Sequence, residues 1–223
     1  MTARIDDLSK REQAALARWA EMRAMSVHFI DAAARRHWQN CPERARWVVL
    51  RVRPRCESRV AEWLEERGIE TFLPVRKEKY INRRRREALE KERAVLPGYL
   101  FVRCMVGAAA ISGLDGLKRE GGIYPHAGDV HGIMISTDGF AHQVSPERMN
   151  KFIDMCSVVE KVQDAPEVRF RRGDNVLVGF GPFEGMSGFV RKIIRRQPRV
   201  VVELRGFENA PEIDFPVAML EKL

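Results

Sequence analysis

The stretch Asn82–Val102, NRRRREALEKERAVLPGYLFV, runs from four consecutive arginines into an almost wholly apolar segment. A block of like charge repels itself and stays solvated. Leu96-Pro97-Gly98-Tyr99-Leu100-Phe101-Val102 has instead the aromatic and aliphatic content of a strand that needs cover on at least one face. The fold must therefore hold one end of this stretch in water and bring the other under neighbouring elements.

The segments around it supply those elements. Trp47-Val48-Val49-Leu50-Arg51-Val52 reads as a strand, and in the following PRCESRVAEWLEERG the residues Val60, Trp63 and Leu64 share one helical face, with Gly68 as the stop. IETFLPVRKEKYI extends again, the charged run to Arg93 is expected to be a solvent-exposed connection, and LPGYLFVRC returns as a strand. This order predicts an α+β fold, an antiparallel sheet flanked by helices. The stretch 107–129 is glycine-rich and poorly patterned; VHGIMI reads as a short strand and SPERMNKFIDMC as a helix capped by Ser145 with Pro146 at its first position. Before the sheet, residues 1–45 predict a helical extension opened by the capping box Ser9-Lys10-Arg11-Glu12 and ended by Asn40-Cys41-Pro42. Its apolar side chains Leu16, Trp19, Met22, Phe29, Ile30 and Ala33 recur at helical steps, a face that docks on the protein's own core or on a partner.

The expected division is thus a helical extension over 1–45, a mixed domain over 46–156, a linker over 157–167 and a small C-terminal β-barrel over 168–223. The barrel expectation rests on short β runs at Val176–Val178, Phe189–Ile194 and Val200–Val202, punctuated by turns.

Composition narrows the function. The chain has a formal net charge of +8, a sequence pI near 9.6 and 45% hydrophobic residues. That balance describes a globular chain with an anionic partner, most often nucleic acid. Cys41, Cys56, Cys104 and Cys156 contain no CxxC pair, and His28, His37, His126, His131 and His142 are scattered, so no metal, cofactor or catalytic constellation is expected. With no signal-peptide core and no apolar run of spanning length, a cytoplasmic protein with reduced thiols and no membrane contact is expected. GFGPFEGMSG lacks the Gly-Lys-Ser/Thr ending of a phosphate loop and is followed by a strand pattern, so its glycines are read as turn and close-packing residues.

Trp47-Val48-Val49, SRVAEWLEERG, FLPVRKE, LPGYLFV and GDNVLVGFGPFEGMSGFVRKI, in this order, resemble the NusG family of transcription elongation factors over residues 46–223. The resemblance implies a NusG-type domain joined to a C-terminal KOW barrel, in a monomer without enzymatic activity. It implies that Pro97, Tyr99 and Phe101 belong to an apolar surface gripping the β′ clamp helices of RNA polymerase. Arg83, Arg84, Arg85 and Arg86 match the family loop that approaches upstream or nontemplate DNA, and Arg53, Arg55 and Arg59 match the region around the first helix start. Arginine suits that task because its planar fork donates two parallel bonds to phosphate.

On the C-terminal barrel, Phe183 and Phe207 are the expected contacts to a partner, which in the general factor is Rho or a small-subunit ribosomal protein. The family's Phe-Gly-Arg turn stands here as Phe207-Glu208-Asn209, without the glycine and with the charge reversed, which puts those partners in doubt and favours a specialised, RfaH-like antitermination paralogue. The β-rich character of VVVEL and FGPFEGMSGFV predicts a stable barrel and not a helical hairpin. The alternatives are the general factor itself, a KOW-type RNA- or ribosome-binding protein, and a nucleic-acid enzyme, the last disfavoured because no paired carboxylates stand out.

Overall fold

A computed structural model describes residues 13–14, 17–18, 21, 29–82, 87–119, 127–158, 170–194 and 198–223. Its first unit is built on strand β1 (Ala45–Val52), which pairs antiparallel with β5 (Tyr99–Met105). β2 (Glu70–Phe72) adds to the far edge of β5, while β6 (Val130–Ile133) and the short β7 (Gln143–Val144) pair with β1. Both central strands are apolar on both faces. Val48, Leu50, Val52, Leu100, Val102 and Cys104 point to one side, and Trp47, Val49, Tyr99 and Phe101 to the other. That is why LPGYLFV shows no alternation: each of its faces has a cover.

The first cover is helical. Helix α1 (Glu57–Glu65) turns Val60, Trp63 and Leu64 onto the sheet, and Gly68 at φ +71 follows its end, as the sequence predicts. Helix α2 (Ala108–Gly116) lies in the stretch without a readable pattern. Its Gly113 explains the composition there, because a Cβ would stand 2.4 Å from the backbone of Phe29. Ile30, Ala33 and Ala34, all buried, complete this core, so the apolar face of the extension docks on the protein itself at Ile30 and Ala33, while Phe29 is 38% exposed. The expected helix does not run to Asn40. After a helical turn at Phe29–Asp31 the chain passes through turns and two 3₁₀ segments, because Ala34 is extended (ψ 147) and Arg35 gives its amide to Gly68 O at 2.8 Å. Tertiary bonds to the α1 stop outweigh helix propensity there. Ser9–Glu12, Leu16, Trp19 and Met22 lie outside the described residues.

The charged connection is also more ordered than expected. β3 (Val75–Asn82) and β4 (Glu87–Ala94) pair residue for residue over their full length as a two-stranded ribbon. Lys77 stands opposite Glu92 in this register, an opposite-charge pairing of the kind that favours a cross-strand pair. Arg83–Arg86 lie outside the described residues. Helix α3 (Pro146–Val158) starts where predicted, with Arg148 N donating to Ser145 Oγ at 3.3 Å.

The second unit is a five-stranded antiparallel sheet in the order β11-β10-β9-β8-β12, from β8 (Asn175–Val178), β9 (Ser187–Ile194), β10 (Arg199–Leu204), β11 (Glu212–Pro216) and β12 (Leu220–Lys222). Its interior holds Val176, Val190, Val202, Ile213 and Phe215. The glycines of GFGPFEGMSG act as read: Gly181 and Gly185 have φ +92 and +82, and a Cβ on Gly188 would stand 2.4 Å from Glu203 O. Gly188→Ala is therefore expected to lower the melting temperature of the chain, whereas Gly128→Ala, with nothing within 4 Å, should leave it nearly unchanged; a thermal melt followed by circular dichroism checks both.

Candidate functional site: a covered aromatic face and an arginine edge

The Pro97-Gly98 turn aims the aromatic face of β5. Gly98 sits at φ +85, where a Cβ would approach Val52 O to 3.2 Å. Its amide donates to Glu57 Oε1 at 2.7 Å, and its carbonyl accepts from Val52 N at 2.8 Å. Glu57 is 5% exposed, so a buried carboxylate at the start of α1 fixes this turn. Phe101 then packs edge-on against Phe152 of α3, with ring centroids 6.1 Å apart, while Tyr99 meets Phe183 of the C-terminal sheet at 6.1 Å and 79°.

The resemblance led to the expectation that Tyr99 and Phe101 form an open surface and that Phe183 and Phe207 form a second one. All four are instead buried, at 7%, 0%, 0% and 6% exposure. Tyr99 and Phe183 cover each other, Phe207 packs against His142, and Phe101 lies against Phe72 and Phe152 of its own unit. Tyr99, Phe101, Phe183 and Phe207 fall in one continuous core that runs from the mixed sheet into the C-terminal sheet. Two apolar patches on one chain remove more surface from water together than apart, which a residue-by-residue reading cannot display.

Polar contacts close the edges of this junction. Ser136 and Phe207 form an isolated bridge, flanked by Thr137 N to Gly206 O at 3.0 Å and Glu208 N to Ile135 O at 3.2 Å. Arg199, with a side chain 2% exposed, donates Nε to Asp214 Oδ1 at 2.8 Å and Nη2 to Val95 O at 2.7 Å, tying β10 to the segment before the Pro97 turn. Arg148 pairs with Glu184 at 3.6 Å. His142 stacks on Phe183 at 5.7 Å, meets Phe207 edge-on at 5.3 Å, and lies 3.1 Å through Nε2 from Pro182 O.

Burial pushes the His142 imidazole below its ordinary 6.5, against the Pro182 carbonyl, which acts the other way; Arg148 adds to the lowering. Burial also raises the Tyr99 phenol to about 12. Neither His142 nor Arg199 stood out in the sequence, where one is a scattered histidine and the other one arginine among many.

The arginine edge is arranged differently. Arg53, Arg55 and Arg59 are all exposed around the start of α1. Asp129, whose side chain is 12% exposed, faces two of them: Arg59 Nη2 at 2.6 Å and Arg53 Nη1 at 4.0 Å. The hydrogen bond and charge of Asp129 raise the Arg59 pKa further. Arg55 is held at φ +75 and leans toward the groove beside Pro97. Asp129 comes from the stretch that defied patterning, so its restraint on the expected phosphate contacts had no signal in the sequence.

Residues 45–153 match the family model described as transcription termination factor nusG. They form a NusG-family domain. The NusG match runs from β1 into α3, holding Tyr99, Phe101 and the arginine edge, and stops short of the C-terminal sheet. No curated protein sequence matches the chain. Among solved structures it is similar to one titled "Domain interaction in Thermotoga maritima NusG", at 20% identity and a TM-score of 0.39, covering 80% of this chain and 97% of that one. It is similar also to the MjSpt4:Spt5 complex in conformation A, at 19% identity and a TM-score of 0.24, covering 79% and 97%. Among the described residues no helix is long and apolar enough to cross a membrane.

The depressed His142 pKa fixes the sign of a pH effect. Above 6.5 the imidazole is neutral whether the junction is closed or open, so closure carries no penalty; as pH falls below 6.5 the open form gains the proton first, and closure weakens progressively. Fluorescence energy transfer between dyes on the two units should report opening on acidification, with the effect abolished in His142→Gln.

Proposed function

We propose that the chain is a non-enzymatic bacterial transcription elongation and antitermination factor that binds the β′ clamp helices of RNA polymerase through Pro97, Tyr99 and Phe101, and is held inactive by its own C-terminal sheet. The observation that carries this reading is the mutual burial of Tyr99 and Phe183. The NusG-family domain supports the polymerase assignment, because one apolar face of its central strand pair is the one that the second unit covers in part. The proposed division is a domain over 46–156, a linker over 157–167 and a KOW-type module over 168–223, preceded by the helical extension.

The same contact withholds both surfaces. Opening exposes Tyr99 to polymerase, with Phe101 beside it still lying against Phe72 and Phe152, and at once frees Phe183 and Phe207 for a further partner. Glu208, beside Phe207, sets that partner apart from those of the general factor. The arginine edge, with the tip Arg83–Arg86, follows the upstream or nontemplate strand, so the apolar grip supplies affinity and the arginines supply position along DNA. A soluble, cytoplasmic chain suits this work.

If the apparent affinity for polymerase is the intrinsic affinity reduced by the open fraction, a change that opens the junction without touching the grip must tighten binding. His142→Asp places a carboxylate where a neutral ring stacks on Phe183, costing the closed form a few kcal/mol by order of magnitude (about 1–3). Binding to a β′ clamp-helix fragment, read by titration calorimetry, should tighten about tenfold in His142→Asp, consistent with that cost. It should be lost in Tyr99→Ala. Unaltered affinity in both variants would remove the assignment.

The DNA reading has its own measure. Each phosphate neutralised adds about 0.7–0.9 to the slope of log affinity against log salt. Arg53→Ser together with Arg55→Ser should therefore flatten the slope for a nontemplate-strand oligonucleotide, whereas an unchanged slope would make this edge a solubilising one.

A further inference from the structure

Arg51 is the one charged residue that β1 places on its aromatic face, in line with Trp47 and Val49. Strand register sets it directly opposite Tyr99 of β5, and on its other side opposite Gly132 of β6, which has no side chain to cover it. A guanidinium taken partly out of water has to be answered by an opposite charge or by hydrogen bonds. The closed chain answers this one poorly. Arg51 is half-buried, its Nη2 donates one long bond to His131 O at 3.3 Å, and its Nε is buried without a protein acceptor. Among the described residues it has no ion pair. It stands close enough to Tyr99 to act on it: burial raises that phenol to about 12, and the charge of Arg51 opposes the rise.

The surroundings do not supply the missing counter-charge. Arg51 lines a cavity of about 70 Å³ at the junction. Small-ligand sites run to roughly 300–1,000 Å³, so this space is not built for a small molecule. Two carboxylates share it with Arg51. Asp115 is already engaged, since its Oδ2 pairs with Lys118 Nζ at 2.5 Å and its Oδ1 accepts from Ile133 N at 3.2 Å. Glu208 reaches the cavity from the C-terminal sheet, and its exposed carboxylate has no ion pair among the described residues. If that sheet moves away, Glu208 goes with it, and Arg51 is left beside Tyr99 with no free carboxylate of its own unit in reach of the cavity.

We propose that Arg51 is the specificity-determining charge beside Tyr99, and that it pairs with an Asp or Glu on the polymerase helix that docks there. The spacing fixes where that acid stands. Residues directly opposite each other on antiparallel strands have Cβ atoms about 4.5–5.5 Å apart, and residues three or four positions apart on a helix about 5–6 Å. A helix laid across β1 and β5 therefore sets an apolar residue on Tyr99 and, one turn away, a carboxylate on Arg51. The planar fork of arginine takes such a carboxylate through two parallel bonds. A helix with an apolar or basic residue at that position leaves the guanidinium unanswered and is rejected. Glu208 then has a place in the scheme: in the closed chain the C-terminal sheet brings an acidic group to the same neighbourhood. The assignment rests on the proposed polymerase contact of Tyr99, and the experiment keeps the two apart.

The test is titration calorimetry of the full chain with a β′ clamp-helix fragment, and with a set of fragments in which each Asp or Glu is replaced in turn by Lys. Arg51→Gln should weaken binding of the unaltered fragment at least about tenfold, the worth of one charge-assisted contact. Arg51→Lys, which keeps the charge and loses the fork, should weaken it less, and Arg51→Glu more. One fragment variant, its substituted acid three or four positions from an apolar residue, should bind the unaltered chain weakly and recover its affinity with Arg51→Glu. A change in closure acts on every fragment alike, so recovery with one fragment alone reports a direct pair. Full affinity in Arg51→Glu, or a loss that no fragment variant restores, would overturn the assignment while Tyr99→Ala still abolishes binding and the polymerase reading stands. Absence of binding by the unaltered chain would instead remove the polymerase reading, and this assignment with it.

Discussion

The antiparallel pair of β1 and β5 is apolar on both faces, and the described elements cover it on both. One face takes α1, α2 and the docked turn at Phe29–Asp31; the other takes Phe152 of α3 and then, where α3 ends, the C-terminal sheet. A strand with two apolar faces cannot be left with one of them in water without exposing Trp47, Val49, Tyr99 and Phe101 together. The chain meets that constraint with a cover of two kinds. Phe152 belongs to the same unit and stays, whereas Phe183 arrives on a separate sheet.

The difference shows in the contacts. Phe101 has two aromatic neighbours in its own unit, Phe72 at 6.5 Å and Phe152 at 6.1 Å by ring centroid. At the junction, the edges are closed by backbone bonds at Thr137 and Glu208, an ion pair at Arg148, and the Arg199 fork. Hydrogen bonds of this kind contribute about 0.5–1.5 kcal/mol net, because water replaces them on opening. An edge-to-face aromatic pair such as Tyr99–Phe183 adds about 0.5–1.5 kcal/mol beyond its area. A cover assembled from such terms is of the kind that the proposed opening requires, because each term is individually small.

Much of the scaffold was legible in the residues. The strand at Trp47, the helix with Val60, Trp63 and Leu64, the stop at Gly68, the capped start at Ser145 and the β runs of the C-terminal sheet all follow from local periodicity and turn chemistry. Helix α2 did not, because Gly107, Gly113 and Gly116 suppress the helical signal while close packing on the Phe29 backbone demands small residues. β4 did not, because its charged sequence carries no apolar period and its pairing exists only once the register with β3 is set. The aromatic residues of the site were identifiable by type, yet their partners were not. Tyr99 and Phe183 each carry the mark of an interface, and nothing local says that the interface is with each other. Asp129 and His142 have the same character: their roles are created by which segments meet.

The central claim, that one contact withholds both aromatic faces, is tested most directly by amide hydrogen exchange at Thr137 and Glu208. Their N–H groups bond to Gly206 O and Ile135 O across the junction, so they report closure without perturbing it. The account predicts slow exchange at both amides in the free chain, and fast exchange at both once a polymerase β′ clamp-helix fragment is bound. Fast exchange in the free chain, or protection that survives binding of that fragment, would contradict it.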